Sequence, residues 1–339
     1  MAELPGPRGP ISQSLFAVLR GDAPARDLDP AVARNADPFG DDLQLALYCC
    51  YELHYRGFDG VADDLEWDPS VLALRAALER PFLAALRAAV PASDGSDLDD
   101  VIGGLLVEPA DAHGVSHHLR RDGQLWQVRE YVAHRSLYHL KEADPQAWVI
   151  ARIDGPAKAA LVTVEHDEYG AGDPDRMHSR LFADMMRALD LDPRYGAYLD
   201  HAPAPTLAEV TFMSLCGLHR NLRGALVGQF AAVELTSSPG SDRLTRAMHR
   251  LGLPAAAIEF YAEHVEADAV HEQLMRRGVI GPLVAAEPEL AADVVFGIRA
   301  SGFLADRTDA MLLDSWGAGR EALRRPLGLV PAPAGTSAS

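Results

Sequence analysis

The chain has 339 residues, of which 48% are hydrophobic and 24% charged, as in an ordinary globular protein of one large or two modest domains. Its formal net charge of −18 argues against nucleic acids and anionic membranes as partners, because both are bound through basic surfaces. The three cysteines form no C-x-x-C pair and so predict neither a disulfide framework nor a thiolate metal site. No leader sequence or membrane-length apolar run is recognised, so we expect a soluble cytoplasmic protein.

The N-terminal third is predicted to be helical. Residues 1–12 are rich in proline and glycine and are expected to be disordered. Helices are predicted over residues 41–53 and 69–90, with a break or kink at Pro81 in the second. Residues 91–100 are polar and rich in helix breakers, so they are expected to form a loop.

Helical periodicity continues through the rest of the chain. After a polar stretch near 114–123, helices are predicted over residues 124–142, 154–168, 173–189, 206–236 and 254–277. Alternating strand patterns between turn residues are scarce, so few strands are expected. Residues 332–339 are rich in proline, glycine and serine and are expected to be disordered. The predicted fold class is all-α.

His264, Asp268 and His271 are the most informative residues of the predicted helix 254–277. At 100° per residue, Asp268 lies about 40° from His264, and His271 lies about 20° to its other side, so they share one stripe. The same stripe carries the apolar or aromatic residues Ala257, Phe260, Tyr261 and Met275. A carboxylate on this buried side costs several kcal/mol unless it is neutralised. A metal ion ligated by both histidines would neutralise it.

Three further candidate ligands fall on apolar faces of the preceding helices. They are Glu168, His178 and Glu234. His166 and Asp167, beside Glu168, are expected to face elsewhere. The glycines of the predicted helix 206–236 would allow a neighbouring helix to approach closely; they are Gly217, Gly224 and Gly228.

Each candidate also has a simpler interpretation. A single buried histidine is usually a hydrogen-bonded core residue, and a single glutamate at a helix end is usually solvated or paired. These interpretations weaken when several such residues face the core with few cations nearby, Arg223 beside Glu234 being one exception. Glu142 cannot be assigned from the pattern, because its helix is mixed and Pro145 follows closely. The pattern alone leaves a metal centre and a hydrogen-bonded core both open.

Common metal and phosphate motifs are missing from the sequence. None of the 13 histidines follows a glutamate by three residues, so the Glu-x-x-His motif of ferritin-like bundles is absent. H-E-x-x-H and the glycine-rich phosphate loops are also absent. Asp268-x-x-His271 is the nearest equivalent.

Four pieces of the sequence resemble the heme-oxygenase-like diiron oxidase and oxygenase family, also called iron-containing redox enzymes. They are Lys141-Glu-Ala-Asp-Pro145, Asp167-Glu-Tyr-Gly170 with His178 ten residues after Glu168, Ala232-Val-Glu-Leu-Thr-Ser-Ser238, and His264-x3-Asp268-x2-His271. The last motif is weak by itself, but four pieces in order and at the family's spacing are specific. The resemblance covers roughly residues 125–285 and, more loosely, residues 51–57.

The resemblance implies a heme-oxygenase-like helical bundle over residues 125–325. Residues 1–124 would be an additional helical portion that packs on the bundle or forms a dimer contact, and 326–339 a flexible tail. The residues that match the family's ligands to two irons are Glu168, His178, Glu234, His264, Asp268 and His271. Glu142 matches an additional carboxylate ligand of the N-oxygenase-like members. Four carboxylates would balance the charge of two Fe(II) ions, and carboxylates with imidazoles suit iron that reacts with O₂.

The implied function is a non-heme diiron oxygenase of specialised metabolism. It would use two irons that cycle between Fe(II) and Fe(III), O₂ as co-substrate and an external reductant to oxygenate the nitrogen of a small amine, amidine, guanidine or amino azole. No separate acid or base is assigned, and a homodimer is expected. The same fold could instead perform oxidative C–C cleavage, decarboxylation or desaturation of an amino or fatty acid. A metal-free ligand-binding helical protein is the alternative from another class.

Glu52 and His54 resemble a further ligand pair but lie two residues apart, so they would point to different faces of a helix. We expect them to pack or to form hydrogen bonds instead.

Overall fold

The computed structural model describes residues 2–109 and 111–330, except for the side chains of Glu266, Asp268 and Ala269. Within these residues every regular element is helical, and the only β-type pairing is an isolated bridge between Ala2 and Phe58. The prediction of an all-α fold is therefore confirmed. No helix in the described ranges combines the length and the apolarity that a bilayer crossing requires.

The N-terminal portion contains five α-helices. They are α1 (Pro10–Leu19), α2 (Asp41–Glu52), α3 (Pro69–Ala89), α4 (Leu98–Leu105) and α5 (Val115–Arg121). The short helix α4 occupies part of the segment expected to be a loop, and α5 lies in the polar stretch for which no helix was predicted. The helix α3 begins where the Asp68 carboxylate accepts from the N–H groups of Ser70 and Val71. It continues as one helix through Pro81, where a break or kink was predicted, and packs against the 3₁₀ turn Pro30–Asn35.

The expected disorder of residues 1–12 is not observed for residues 2–12. Ala2 and Ile11 are buried in the hydrophobic core. The Asp42 carboxylate on α2 accepts hydrogen bonds from the N–H groups of Ile11 and Ser12, at 2.9 and 2.8 Å. Gly9 precedes α1 and has no side chain to cap it, so α2 supplies the cap from a distance of 30 residues along the chain. Residues 331–339, which include the tail expected to be disordered, lie outside the described part of the chain.

The remaining helices form the bundle that carries the candidate ligands. They are α6 (Leu125–His139), α7 (Asp144–Ala147), α8 (Gly155–Glu168), α9 (His178–Ala188), α10 (Ala204–Leu218), α11 (Arg223–Arg250), α12 (Ala255–Gln273), α13 (Gly281–Ala286) and α14 (Ala291–Gly317). Between α12 and α13 the chain follows a π-helical segment, Leu274–Ile280, so the α-helix ends before 277 while helical backbone continues beyond it. The helix α9 begins at His178 and not at 173, since Met177 is extended with ψ of 132°.

The predicted helix over residues 206–236 is two helices. His219 is extended, with φ of −103° and ψ of 112°, and the 3₁₀ turn Arg220–Leu222 follows it. The His219 ring contacts Glu79 of α3, with Nε2 3.0 Å from Oε2. A tertiary contact thus accompanies the break, which explains why the local pattern did not reveal it.

The helix α11 lies at the centre of the bundle and packs against α5, α10, α12 and α14. It crosses α14 closely: a Cβ on Gly228 would lie 2.0 Å from the carbonyl oxygen of Val294, and one on Gly297 would lie 2.0 Å from that of Ala225. The close approach expected at Gly228 is therefore present. One hydrophobic core joins α1, α2 and α3 to α8, α10, α11 and α14, and a second lies among α5, α6, α9 and α12.

Candidate metal centre

Two groups of buried potential ligands lie side by side in the bundle. The first, called the Glu142 group here, consists of Glu142, Glu168, His178 and His264. The second, the Glu234 group, consists of Glu168, Glu234 and His271. Within each group the potential ligand atoms lie within 4.8 Å of one another. Glu168 belongs to both groups, so its two oxygens can face two different ions.

A tight reversal of the chain brings Glu168 and His178 together. Glu168 is the last residue of α8, and His178 is the first residue of α9. Gly170 turns the chain with φ of 77°, and a Cβ there would lie 2.6 Å from the backbone nitrogen of Met177. Glycine is therefore needed at this turn for both conformation and space. The result is a distance of 2.6 Å between His178 Nδ1 and Glu168 Oε2.

The helix α12 presents His264 and His271 two turns apart. His264 Nδ1 lies 2.7 Å from the carbonyl oxygen of Phe260. Since a carbonyl only accepts, Nδ1 carries the proton, and the basic Nε2 faces Glu142 Oε1 at 3.8 Å. His271 Nδ1 lies 2.9 Å from Glu234 Oε2 and 3.5 Å from Glu168 Oε1. The two histidines thus serve different groups.

Glu142 lies in the turn after α6, because that helix ends at His139 and not at 142 as predicted. Arg135 Nε donates to His139 Nε2 at 3.3 Å, so His139 Nδ1 carries a proton and donates to Glu142 Oε1 at 2.6 Å. Burial lowers the pKa of His139 to about 4, which keeps this ring neutral. Burial would raise the pKa of Glu142, but its contacts with His139 and His264 lower it well below the usual range. Glu142 is therefore an ionised, oriented carboxylate.

Asp268 is the seventh candidate ligand from the sequence. It occupies α12 between His264 and His271, but its side chain lies outside the described part of the structure. The other six candidates all belong to one or both groups.

The donor set fits metal ions. Glu142 Oε2 and His178 Nδ1 are buried and have no hydrogen-bond partner of normal geometry among the described residues. His178 Nδ1 lies 2.6 Å from Glu168 Oε2, but the two atoms do not have hydrogen-bond geometry. Such an arrangement is expected when both atoms are directed at the same metal ion. The donors are imidazole nitrogens and carboxylate oxygens, a set that suits iron or manganese. The thiols Cys49, Cys50 and Cys216 are buried and free and belong to neither group.

The protonation of the centre opposes metal binding in acid. Burial disfavours a charge on His271, but Glu234 and Glu168 raise its pKa to about 9. Burial also disfavours a charge on His178, but its pKa is raised by Glu168. Ligation needs neutral imidazole, so metal binding would release protons and weaken as the pH falls.

Three residues beside the two groups were not among the predicted site residues. Glu165 is 2% exposed, and neither carboxylate oxygen has a hydrogen-bond partner among the described residues. Burial, with Glu168 and Glu234 nearby, raises its pKa to about 9. It lies one turn before Glu168 on the same side of α8, so helical spacing could have indicated it. His139 is the second missed residue and Asp167 the third: Asp167 Oδ2 lies 3.3 Å from His271 Nε2, although it was expected to face elsewhere.

The expected non-ligands are accounted for by other partners. Glu52 pairs with Lys141 at 2.9 Å, and His54 Nδ1 lies 2.9 Å from Glu66 Oε1. Neither joins the two groups, in line with the hydrogen-bonding role expected of them. Arg223, considered as a partner for Glu234, pairs with Glu287 instead.

A cavity of about 320 Å³ adjoins the two groups. Glu142, Glu234 and His264 form part of its wall, and Phe260 and Tyr261 also line it. Its other polar side chains include Tyr131, Arg135, Glu209 and Asp309. Its exposed lining residues, which mark the entrance, are Thr236, Gly302 and Ala305. A cavity of this size beside buried donors suits a small molecule.

A helical bundle with buried groups of carboxylates and histidines is of the kind that can hold metal ions such as iron. The chain belongs to the family of iron-containing redox enzymes, whose sequence model matches residues 129–305, just over half of the chain. The match includes all seven candidate ligands. Iron binding is thus supported both by the family and by the buried cluster.

The chain is also similar to nitrosourea synthase from Streptomyces achromogenes subsp. streptozoticus. The two are 28% identical over 164 residues, which is 47% of this chain and 34% of the relative. The chain thus spans about a third of the length of that relative.

Proposed function

We propose that the protein is a diiron oxygenase that oxygenates the nitrogen of a small amine, amidine, guanidine or amino azole in specialised metabolism. One observation carries the proposal: Glu168 is shared by two buried groups, each of which has a further carboxylate and at least one histidine. A carboxylate with two oxygens can bridge a pair of neighbouring ions, whereas a single ion would leave one group without a role.

One iron would be held by the Glu142 group and the other by the Glu234 group. Asp268 is proposed as a further ligand because it lies between His264 and His271 on α12. Glu142, Glu168, Glu234 and Asp268 would then offset the four positive charges of two Fe(II) ions in a low-dielectric interior. Bound iron would supply the electrons for activation of O₂, and an external donor would restore them.

The protein's own residues would orient the substrate and the ligands. The neutral His139 ring, held by Arg135, directs the Glu142 carboxylate toward His264. The cavity would hold the substrate against the wall formed by Glu142, Glu234 and His264 and exclude bulk water. The cavity wall also contains Glu209, which accepts from Arg135 at 3.0 Å, and Asp309. Glu209 is already paired with Arg135, so it is the Asp309 carboxylate of this wall, together with the net charge of −18, that favours a basic nitrogen compound.

N-oxygenation is preferred to cleavage or desaturation of carbon because Glu142 matches the additional carboxylate of the N-oxygenase-like members. Glu142 also belongs to the Glu142 group and lines the cavity. The name of the relative, nitrosourea synthase, also denotes a product whose nitrogen carries oxygen. Carbon cleavage by the same centre is the second candidate.

For the chain as a whole, we propose that residues 1–124 are a helical addition to the bundle over 125–325. The homodimer stays a prediction.

The test begins with anaerobic titration of the metal-free protein with Fe(II). Two irons per chain are expected, with E234A and H271A each losing one. The Fe(II)-loaded protein is then exposed to ¹⁸O₂ and a reductant with a panel of amines, guanidines and amino azoles. A product that carries ¹⁸O on nitrogen is expected. Fewer than two irons, or label found on carbon fragments only, would overturn the proposal.

A further inference from the structure

The residue before Glu142 is a buried lysine. The chain contains only two lysines, Lys141 and Lys158. Lys158 is partly exposed on α8, whereas Lys141 is 1% exposed. A buried ammonium group is unfavourable unless charges and hydrogen bonds compensate it. The burial of Lys141 directly beside the candidate ligand Glu142 therefore calls for an explanation.

Lys141 is enclosed by groups from outside its own segment, which we call the lysine cage: Tyr48, Glu52, Tyr55 and Tyr195. Its Nζ lies 2.9 Å from Glu52 Oε2. The same atom lies 4.1 Å from the ring centre of Tyr55, 4.8 Å from that of Tyr48 and 6.0 Å from that of Tyr195. Tyr195 Oη donates to Glu52 at 2.7 Å. The ammonium is thus held by one carboxylate and by aromatic faces.

The same turn is also fastened on either side of Lys141. Arg56, just beyond α2, donates to the carbonyl oxygen of Leu140 at 3.2 Å and lies 3.5 Å from Asp144 Oδ2. Tyr169 donates to Asp144 Oδ1 at 3.1 Å, and it directly follows Glu168. The turn that carries Glu142 is therefore tied both to the end of α2 and to the end of α8.

Such fastening is needed because Glu142 lies outside regular helix. Ala143, which follows it, has φ of 69°, a left-handed conformation that is unfavourable for alanine. A strained turn persists only where its surroundings determine it. A buried ion pair often adds little to the free energy of unfolding. Its best-attested role is to fix one conformation of the groups around it.

We propose that the lysine cage positions Glu142 as a ligand of the first iron, with Lys141 and Glu52 as positioning residues. The inference rests on the proposed function. It implies that the N-terminal helices take part in the metal centre although they provide no ligand to either group.

The test compares K141M with the matched control K158M. Each protein is prepared without metal, its folding is checked by thermal unfolding, and it is titrated anaerobically with Fe(II). We expect the wild type and K158M to bind two irons. K141M should bind one iron as tightly as the wild type and the other at least about tenfold more weakly, as for lost outer-shell partners. If K141M fails to fold, Y195F replaces it, since it removes only the hydroxyl that donates to Glu52.

A double variant shows whether Lys141 acts through Glu142. If it does, K141M/E142Q binds iron as E142Q does, because the positioned group is already gone. If the losses of iron affinity in K141M and E142Q add up in the double variant, the inference is overturned. It is also overturned if K141M folds and binds both irons with wild-type affinity, or if Y195F, used in its place, does so. A wild type that binds fewer than two irons would overturn the proposed function and this inference together.

Discussion

His271 Nε2 lies 3.3 Å from Asp167 Oδ2, while Nδ1 of the same ring faces Glu234. In the neutral ring that ligation requires, an N–H at Nε2 would donate a hydrogen bond to Asp167, which leaves the basic Nδ1 directed toward Glu234 and Glu168. Asp167 would therefore select the tautomer that metal binding by the proposed Glu234 group needs. An outer carboxylate behind a ligating histidine is a common means of orienting it.

Removal of this carboxylate is expected to weaken the second iron site. D167A should bind iron at the Glu234 group about 10- to 100-fold more weakly, because the His271 ring loses its orienting partner. H166A is the control, since His166 is the exposed neighbour on the same helix. Titration with Fe(II), or with Co(II) as an absorbing probe, measures both sites. Equal losses in D167A and H166A would contradict the role given to Asp167.

The Glu142 carboxylate should distinguish the two candidate reactions. E142A is expected to reduce nitrogen oxygenation by about 100-fold or more, while oxidative cleavage of carbon would survive. Product analysis by mass, with iron content measured on the same sample, gives the result. If E142A retains full N-oxygenation while the wild type performs it, Glu142 has no part in that reaction.

The buried Glu165 should make the metal-free protein less stable as pH rises. Burial and the nearby charges of Glu168, Glu234 and Asp144 raise its pKa to about 9. The folded state thus keeps a proton that the unfolded chain has lost above its ordinary pKa, so stability falls as pH rises from about 4.5 to 9.

The variant E165Q mimics the protonated form and should escape this loss. Near pH 5 it should match the wild type, and at pH 8 it should be more stable by about 1 kcal/mol or more. Denaturant unfolding at both pH values measures the difference, with the exposed E289Q as control. A stability difference that does not change with pH would contradict this assignment.

The crossing of α11 and α14 should not tolerate a side chain at Gly228. G228A places a methyl group against the carbonyl oxygen of Val294, and we expect the free energy of unfolding to fall by about 2–4 kcal/mol. G240A in the same helix is the control, because a Cβ there has no atom within 4 Å. It should be stabilised by about 0.5–1 kcal/mol through helix propensity. Similar effects of both changes would show that the crossing adapts.

The sequence indicated the ligand-bearing faces because helical spacing is a local property. His264 and His271 lie seven residues apart, so any α-helix places them on one side, and the structure keeps both on α12. Glu168 and His178 were likewise assigned to apolar faces, and both are buried. The pattern could not show that Glu168 would be shared, since this depends on the turn at Gly170.

Other features were misjudged because they depend on distant parts of the chain. Residues 2–12 looked disordered, yet Asp42 caps α1. The break at His219 accompanies its contact with Glu79 on another helix. Asp167 was assigned to an outer face by its angle, but its side chain reaches back to His271. Side-chain reach and long-range hydrogen bonds have no signature in helical period.

The sequence by itself determined an all-helical chain in which several acids and imidazoles lie on faces that must be buried. It could do so because the period of a helix and the free-energy cost of burying charge are the same wherever the segment lies. The tertiary structure decided which of these residues meet, that Glu168 serves two groups, and that α2 holds the turn bearing Glu142 through Glu52 and Lys141. Those relationships arise from the packing of helices far apart in the chain, and packing is set by the whole core at once.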